Sequence, residues 1–222
     1  MPTLISRARP VAAAVSSAAG AALATAVRLT AAVRPAAKPL HPRGDLVVGH
    51  LTRRGLTPPT GVEWLDGSGS DEVLVRRSRA IGLPDRLPDI HGLALRVPTA
   101  DGGYGDVLLA STGTGRVGRH LLTAGRTPGA RPLTTLLPYR TVVGPVVVGA
   151  VARGERSYEI AFAVGSGPWR PFADLTLTST SGPDPDLSFD PVRRTPPGLT
   201  HSGWVRRLRE PSYRTARRTR TE

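Results

Sequence analysis

Val142-Val143-Gly144-Pro145-Val146-Val147-Val148-Gly149-Ala150-Val151, Arg153-Gly154-Glu155, Tyr158-Glu159-Ile160-Ala161-Phe162-Ala163-Val164: this stretch decides the fold. Two apolar runs rich in β-branched and aromatic residues flank a charged turn centred on glycine. A second turn, Gly165-Ser166-Gly167-Pro168, leads to a third run over 172–179. Runs of this length, punctuated by Gly and Pro, read as strands joined by tight turns.

Working outward, the same pattern recurs towards the N-terminus. Runs over 46–52, 72–79, 93–97 and 107–111 are separated by Asp66-Gly67-Ser68-Gly69 and Asp101-Gly102-Gly103. Seven short strands with such punctuation predict an antiparallel barrel or sandwich. A short helix is expected over 117–124. Gly113-Thr114-Gly115-Arg116-Val117-Gly118 has a GxGxxG form but lacks βαβ surroundings, so it reads as a glycine loop. Residues 181–200, with Pro183, Pro185, Pro191, Pro196 and Pro197, read as an extended connector. Ser202 then offers an N-cap for a terminal helix.

Residues 1–37 are Ala-rich, and 11–27 carry no charge between flanking Arg7, Arg9, Arg28 and Arg34. A secretory signal, a membrane span and an N-terminal helix on the domain are the three readings. Ser16, Ser17, Gly20 and Thr25 dilute the apolar run, which falls short of the ~20 residues a bilayer requires. It also lacks the Leu-rich centre of a signal peptide. The stripe Val11, Val15, Leu23, Val27, Leu29 and Val33 favours a helix ending before Pro35. The expected organisation is therefore a helical segment over 1–37 and one domain over 38–222. Its class is α+β, mainly β, and the expected location is cytoplasmic, with a signal or membrane-associated segment as the alternative.

The 222 residues suffice for a substantial core, and the absence of Cys excludes disulfides, thiolate metal sites and cysteine nucleophiles. The formal charge of +13 comes almost wholly from arginine, with Lys38 the one lysine. Such a charge favours anionic partners. No helix-turn-helix, zinc-finger or aromatic-and-basic strand pattern is present, so specific nucleic-acid binding is not expected. His41, His50, His91, His120 and His201 show no metal-ligand spacing, and there is no GxSxG elbow or Walker loop.

The residues with chemical potential lie in three places. At the C-terminus, Arg209, Tyr213, Arg217 and Arg220 fall at i, i+4, i+8 and i+11, one face of a helix. A guanidinium one turn away favours the phenolate, an anionic ligand for ferric iron. Pro211 argues against one unbroken helix, and an exposed basic tail with one incidental tyrosine is the plainer reading. In Val75-Arg76-Arg77-Ser78-Arg79, Arg76 and Ser78 share a face of a strand. The alternative there is an edge protected by charge. His41 precedes Gly44 and the first strand, and His91 reads as a turn residue.

Taken in order, these pieces resemble the haem-dependent catalase superfamily in a reduced form. His41, Gly44 and Gly49 match its His-x-x-Gly-x-x-x-x-Gly distal frame, and Lys38 stands where the family has a propionate-binding arginine. Arg76-Arg77-Ser78 resembles its Arg-x-Ser strand. His91-Gly92-Leu93-Ala94-Leu95-Arg96 with Asp106-Val107 resembles its Arg-Gly-Phe-Ala-Leu-Lys hairpin and later Asp-Leu. Arg209, Tyr213 and Arg220 match the spacing of the proximal motif. The resemblance implies a catalase-like barrel with short terminal helices and a haem b whose iron Tyr213 ligates. It implies Arg209 beside the phenolate, Lys38, Arg76 and Arg220 on the propionates, His41 as the catalytic proton shuttle and Ser78 as its support.

Several departures qualify this. Ala110-Ser111 stands where the family has a distal asparagine, Pro42 follows the candidate histidine, and no phenylalanine is placed to stack on haem. The proline of the proximal motif precedes the tyrosine instead of following it. The long arm and C-terminal helical region of large catalases are missing. The expectation is a peroxidase or weak catalase acting on hydrogen peroxide or organic hydroperoxides. The alternative is a barrel that binds haem or another anionic ligand without redox turnover. A haem-free hydrolase of phosphate-containing substrates is the third reading.

Overall fold

The computed structural model describes residues 43–81, 87–183 and 187–207. The helix expected over 1–37 and the arginine-rich stretch beyond 207 lie outside these residues. Nine strands are described: β1 Arg43–Arg54, β2 Ser68–Arg79, β3 His91–Pro98, β4 Tyr104–Ser111, β5 Leu133–Thr134, β6 Tyr139–Thr141, β7 Gly144–Ala152, β8 Ser157–Val164 and β9 Arg170–Pro183. Two helices have four residues each, α1 Glu63–Asp66 and α2 Gly115–Gly118. A third, α3, occupies 203–207, after Ser202.

All strand pairings are antiparallel, and the order β5-β4-β3-β2-β1-β9-β8-β7 closes because β5 also pairs with β7. The result is an eight-stranded barrel, with β6 attached to the far part of β7. Alternation explains which residues fill it. Val47, Val75, Leu95 and Val107 stand opposite one another across four strands. Leu133, Ala150, Ile160 and Ala173 continue round the other half. All eight are buried in one apolar cluster. Among the described residues no helix is long and apolar enough to cross a membrane.

All seven expected strands are present, with corrected limits. Val142 and Val143, read as the start of a strand, form the turn between β6 and β7. Gly144, at φ +108°, supplies the backbone conformation that turn requires, and the Thr141 hydroxyl bonds its carbonyl at 2.7 Å. The helix expected over 117–124 is confined to Gly115–Gly118. Beyond it, Leu122 bridges Thr112 and the Thr123 N–H donates to the Ser111 carbonyl at 2.9 Å, so sheet-like bonding displaces the helix. The glycine stretch is not βαβ-like: Gly115–Gly118 form the single turn α2, with Gly113 and Gly118 packed backbone to backbone.

Helix α1 plugs the end of the barrel at which β1 terminates. A bulge between Ile160 and Ala161 leaves Phe172 without a partner across the strands. Its ring meets Trp64 edge-on at 5.0 Å and Phe162 at 6.0 Å. The turn into α1 is held by Asp66, which accepts from the Thr60 N–H and hydroxyl, both at 2.8 Å, and from the Gly61 N–H at 2.6 Å. Burial pushes the Asp66 carboxyl up, but the bonds from Thr60 and Gly61 outweigh it and hold it below the usual carboxylate range.

Phe172→Ala should cost about 3–5 kcal/mol in urea denaturation, since it empties the joint between plug and wall. Asp66, lowered in the folded state, contributes stability that is present above its unfolded pKa and is lost as pH falls through the folded one. Asp66→Asn should therefore destabilise the protein at neutral pH and flatten its acid-unfolding curve below pH ~4.

Candidate functional site

The outer wall of β1–β4 carries a row of small residues. Register places Gly44 opposite Ser78, Ser78 opposite Gly92, Gly92 opposite Ala110 and Ala110 opposite Thr134. Val75, Leu93 and Leu109, at odd separations from Ser78, Gly92 and Ala110 along the same strands, are in the core, so this row faces outward. The first four residues of the row bear nothing larger than a hydroxymethyl group. With strands ~4.8 Å apart, they form a shelf roughly 14 Å wide.

The next row along comprises Leu46, Arg76, Ala94 and Leu108. Arg76 is only 8 % exposed, although it lies on the outside of the barrel. Its guanidinium lies over Gly44, where an added Cβ would come within 2.9 Å of both Cζ and Nη2. The same Cβ would meet the Arg77 carbonyl oxygen at 2.7 Å, so the close approach requires glycine.

Leu46, Ala94 and Phe189 form a second apolar cluster, with Leu108 and Leu187 packed against it. Phe189 and Leu187 come from the segment expected to be an extended connector, and a buried ion pair fastens that segment down. Arg96 donates to Asp106 from Nε at 2.8 Å and from Nη2 at 2.9 Å, and Nη2 also donates to the Ser188 carbonyl at 2.6 Å. Asp106, fully buried, accepts the Asp190 N–H at 2.7 Å, and its own N–H donates to the Arg194 carbonyl at 2.9 Å. The Arg96 guanidinium stacks on Tyr104 at 3.9 Å and lies 5.0 Å from the Phe189 ring. The connector then crosses Gly105 so closely that a Cβ there would sit 2.7 Å from Pro196 Cα. At its far end Thr200 pairs with Arg140 and His201 stacks on Tyr139 at 4.8 Å, just before α3.

Of the residues singled out from the sequence, Arg76 and Ser78 share this outer wall. Lys38, His41, Arg209, Tyr213 and Arg220 lie outside the described residues. Ala110 faces the shelf, whereas Ser111 faces the barrel end, where its hydroxyl donates to the Thr123 carbonyl at 2.7 Å. His91 is not in a turn. It opens β3, is buried, and bonds the Gly125 carbonyl through Nε2 at 3.0 Å. Read from sequence as a turn residue, it instead pairs with Arg79 of β2 in the sheet. Sequence reasoning missed Leu187, Phe189 and the grip of Asp106 on the connector. Their one signal was the pair Arg96 and Asp106, which proves to stand directly opposite across β3 and β4.

The closed eight-stranded antiparallel barrel is consistent with a catalase-like fold. The chain is similar in structure to a bacterial catalase, with a TM-score of 0.60 and 12 % sequence identity over 82 % of this chain. The chain spans 56 % of the length of that catalase. No protein-family profile matches the sequence, and no curated protein matches it.

Asp106→Ala should leave Arg96 buried without its counter-charge and release the connector. The expected loss is about 3–5 kcal/mol of stability. Limited proteolysis should then cut within 187–199 well before the barrel strands.

Proposed function

We propose that the chain binds haem b against the outer shelf and acts as a peroxidase or weak catalase on hydrogen peroxide or organic hydroperoxides. The observation that carries this reading is the shelf itself: Gly44, Ser78, Gly92 and Ala110 in one row, bordered by the buried guanidinium of Arg76. A flat ligand bearing a carboxylate fits a smooth wall with one fixed cation at its margin. The catalase-like fold supports the same reading.

Arg76 is assigned to a propionate, as are Lys38 and Arg220. Tyr213 is the proposed iron ligand, with Arg209 favouring its phenolate. Bound haem supplies a redox-active iron at which the peroxide O–O bond is broken. His41 is assigned to take the proton from the inner peroxide oxygen and return it to the outer one. Ser78, which stands between two glycines in register, is proposed to orient that histidine.

Ala110 offers no amide where the family resemblance calls for one. That absence favours slow turnover, and it is the specific ground for the second reading, a barrel that holds haem or another anionic ligand without turnover.

Titration of the purified chain with haemin should give a Soret band that saturates at one equivalent, with a high-spin ferric tyrosinate pattern. Tyr213→Phe should abolish that pattern. Arg76→Leu should weaken haem binding roughly tenfold or more, the worth of a charge-assisted hydrogen bond. Gly44→Val should do likewise by displacing the guanidinium. His41→Ala should retain the band and lower peroxide turnover by about 10²–10⁴-fold. A band without turnover in the unaltered chain selects the second reading, and a folded chain without a band excludes haem.

A further inference from the structure

The end of the barrel at which β1 begins carries two loops that the haem reading does not use, 87–90 and 112–132. They are fastened to each other and to the wall. Asp89 and Gly125 exchange backbone bonds at 3.0 and 2.9 Å, and the Gly113 N–H donates to the Leu121 carbonyl at 3.1 Å. Arg119 is buried, stacks on Trp169 at 4.6 Å and donates to the Gly167 carbonyl from both Nη atoms at 3.2 Å. These bonds fix the loop backbone in place.

On that backbone stand four exposed aliphatic side chains: Leu87 at 44 %, Val117 at 72 %, Leu121 at 53 % and Leu122 at 37 %. Arg116, Arg126 and Arg131, all exposed, lie in the same longer loop. Between Asp106 and Glu155 the sequence contains no Asp or Glu at all. Asp89, in the shorter loop, is fully buried and faces Arg79 at 3.4 Å, so it does not offset these charges. In the neighbouring β7–β8 turn Arg153 is paired with Glu159 at 2.8 Å, and Arg156 stands beside Glu155.

We infer that this end of the barrel is a docking surface for an anionic lipid bilayer. Exposed aliphatic groups that share two fastened loops with exposed cations match the interfacial zone of such a membrane, where apolar side chains enter below the headgroups and guanidiniums meet the phosphates. A nucleic acid fits less well, because no Phe, Trp or Tyr lies between Tyr104 and Tyr139 to stack on a base. A second copy fits less well too, since it would bring two sets of unneutralised guanidiniums together. The inference stands apart from haem binding and uses none of the residues assigned to it.

The test is co-sedimentation of the full chain with vesicles of phosphatidylcholine alone and with about one quarter phosphatidylglycerol. Binding is expected to the mixed vesicles, weak to the neutral ones, and reduced by salt. Leu121→Ser with Leu122→Ser should lower it at least tenfold, and Arg116→Ser with Arg126→Ser and Arg131→Ser should do the same. Unchanged circular dichroism and melting temperature would show that both variants fold, and the arginine variant, altered only at exposed positions, covers the case where the leucine pair does not. Equal binding by wild type and both variants would overturn the inference, placing any membrane affinity elsewhere in the chain. So would absence of binding to both vesicles, binding to nucleic acid in place of vesicles, or a change of oligomeric state as the sole effect of the leucine substitutions.

Discussion

Leu133 and Thr134 each face two strands at once, and the closed wall depends on that double pairing. Thr134 stands opposite Ala110 on β4 and Gly149 on β7, and Leu133 opposite Ser111 and Ala150. Without these two residues β4 and β7 would present open edges, with unpaired N–H and C=O groups exposed to other chains. Closure also concentrates the apolar side chains of eight strands in one lumen, which a flat sheet would leave half covered. The chain reinforces the joint: the Thr134 hydroxyl donates to the Arg119 carbonyl at 2.6 Å, and Trp169 lies so close to Gly149 that a Cβ there would touch its ring at 2.9 Å.

A filled lumen pushes any ligand site to the outside. The barrel interior is occupied by Leu, Val, Ile and Phe and plugged by Trp64. On the outer wall, the row of Gly44, Ser78, Gly92 and Ala110 would be a weakness in a wall with nothing to bind, since small residues leave little to pack. The ion pair of Arg96 and Asp106 holds the connector across the adjacent row. It is completed on nearly every side by backbone bonds and ring faces. That is the condition under which a buried pair is tolerated.

Much of the barrel was legible in advance. The seven longer strands were visible because runs of five to ten residues are enough for alternation and for turn signals between them. β5 and β6, with two and three residues, are too short to show any period, and the strand that closes the wall was therefore invisible. His91 and 119–124 were misread for a related reason: their bonds go to Gly125, Ser111 and Thr112, partners that adjoin them only once the barrel has formed. In the site, the Arg76–Ser78 face followed from period two alone. Phe189 and Leu187 could not be assigned to the same wall, because nothing local to 187–189 says which strands it will cover.

The sequence by itself determined an all-antiparallel arrangement of short strands, the shared face of Arg76 and Ser78, and a basic chain suited to anionic partners. These follow from local spacing and composition. Tertiary structure alone decided that the wall closes, that glycine, serine and alanine from four separate strands align into one shelf, and that Arg96 meets Asp106 beneath the connector. Each of these depends on register between strands distant in the chain. Register is set by the simultaneous burial of every inward side chain, a condition no single stretch of sequence contains.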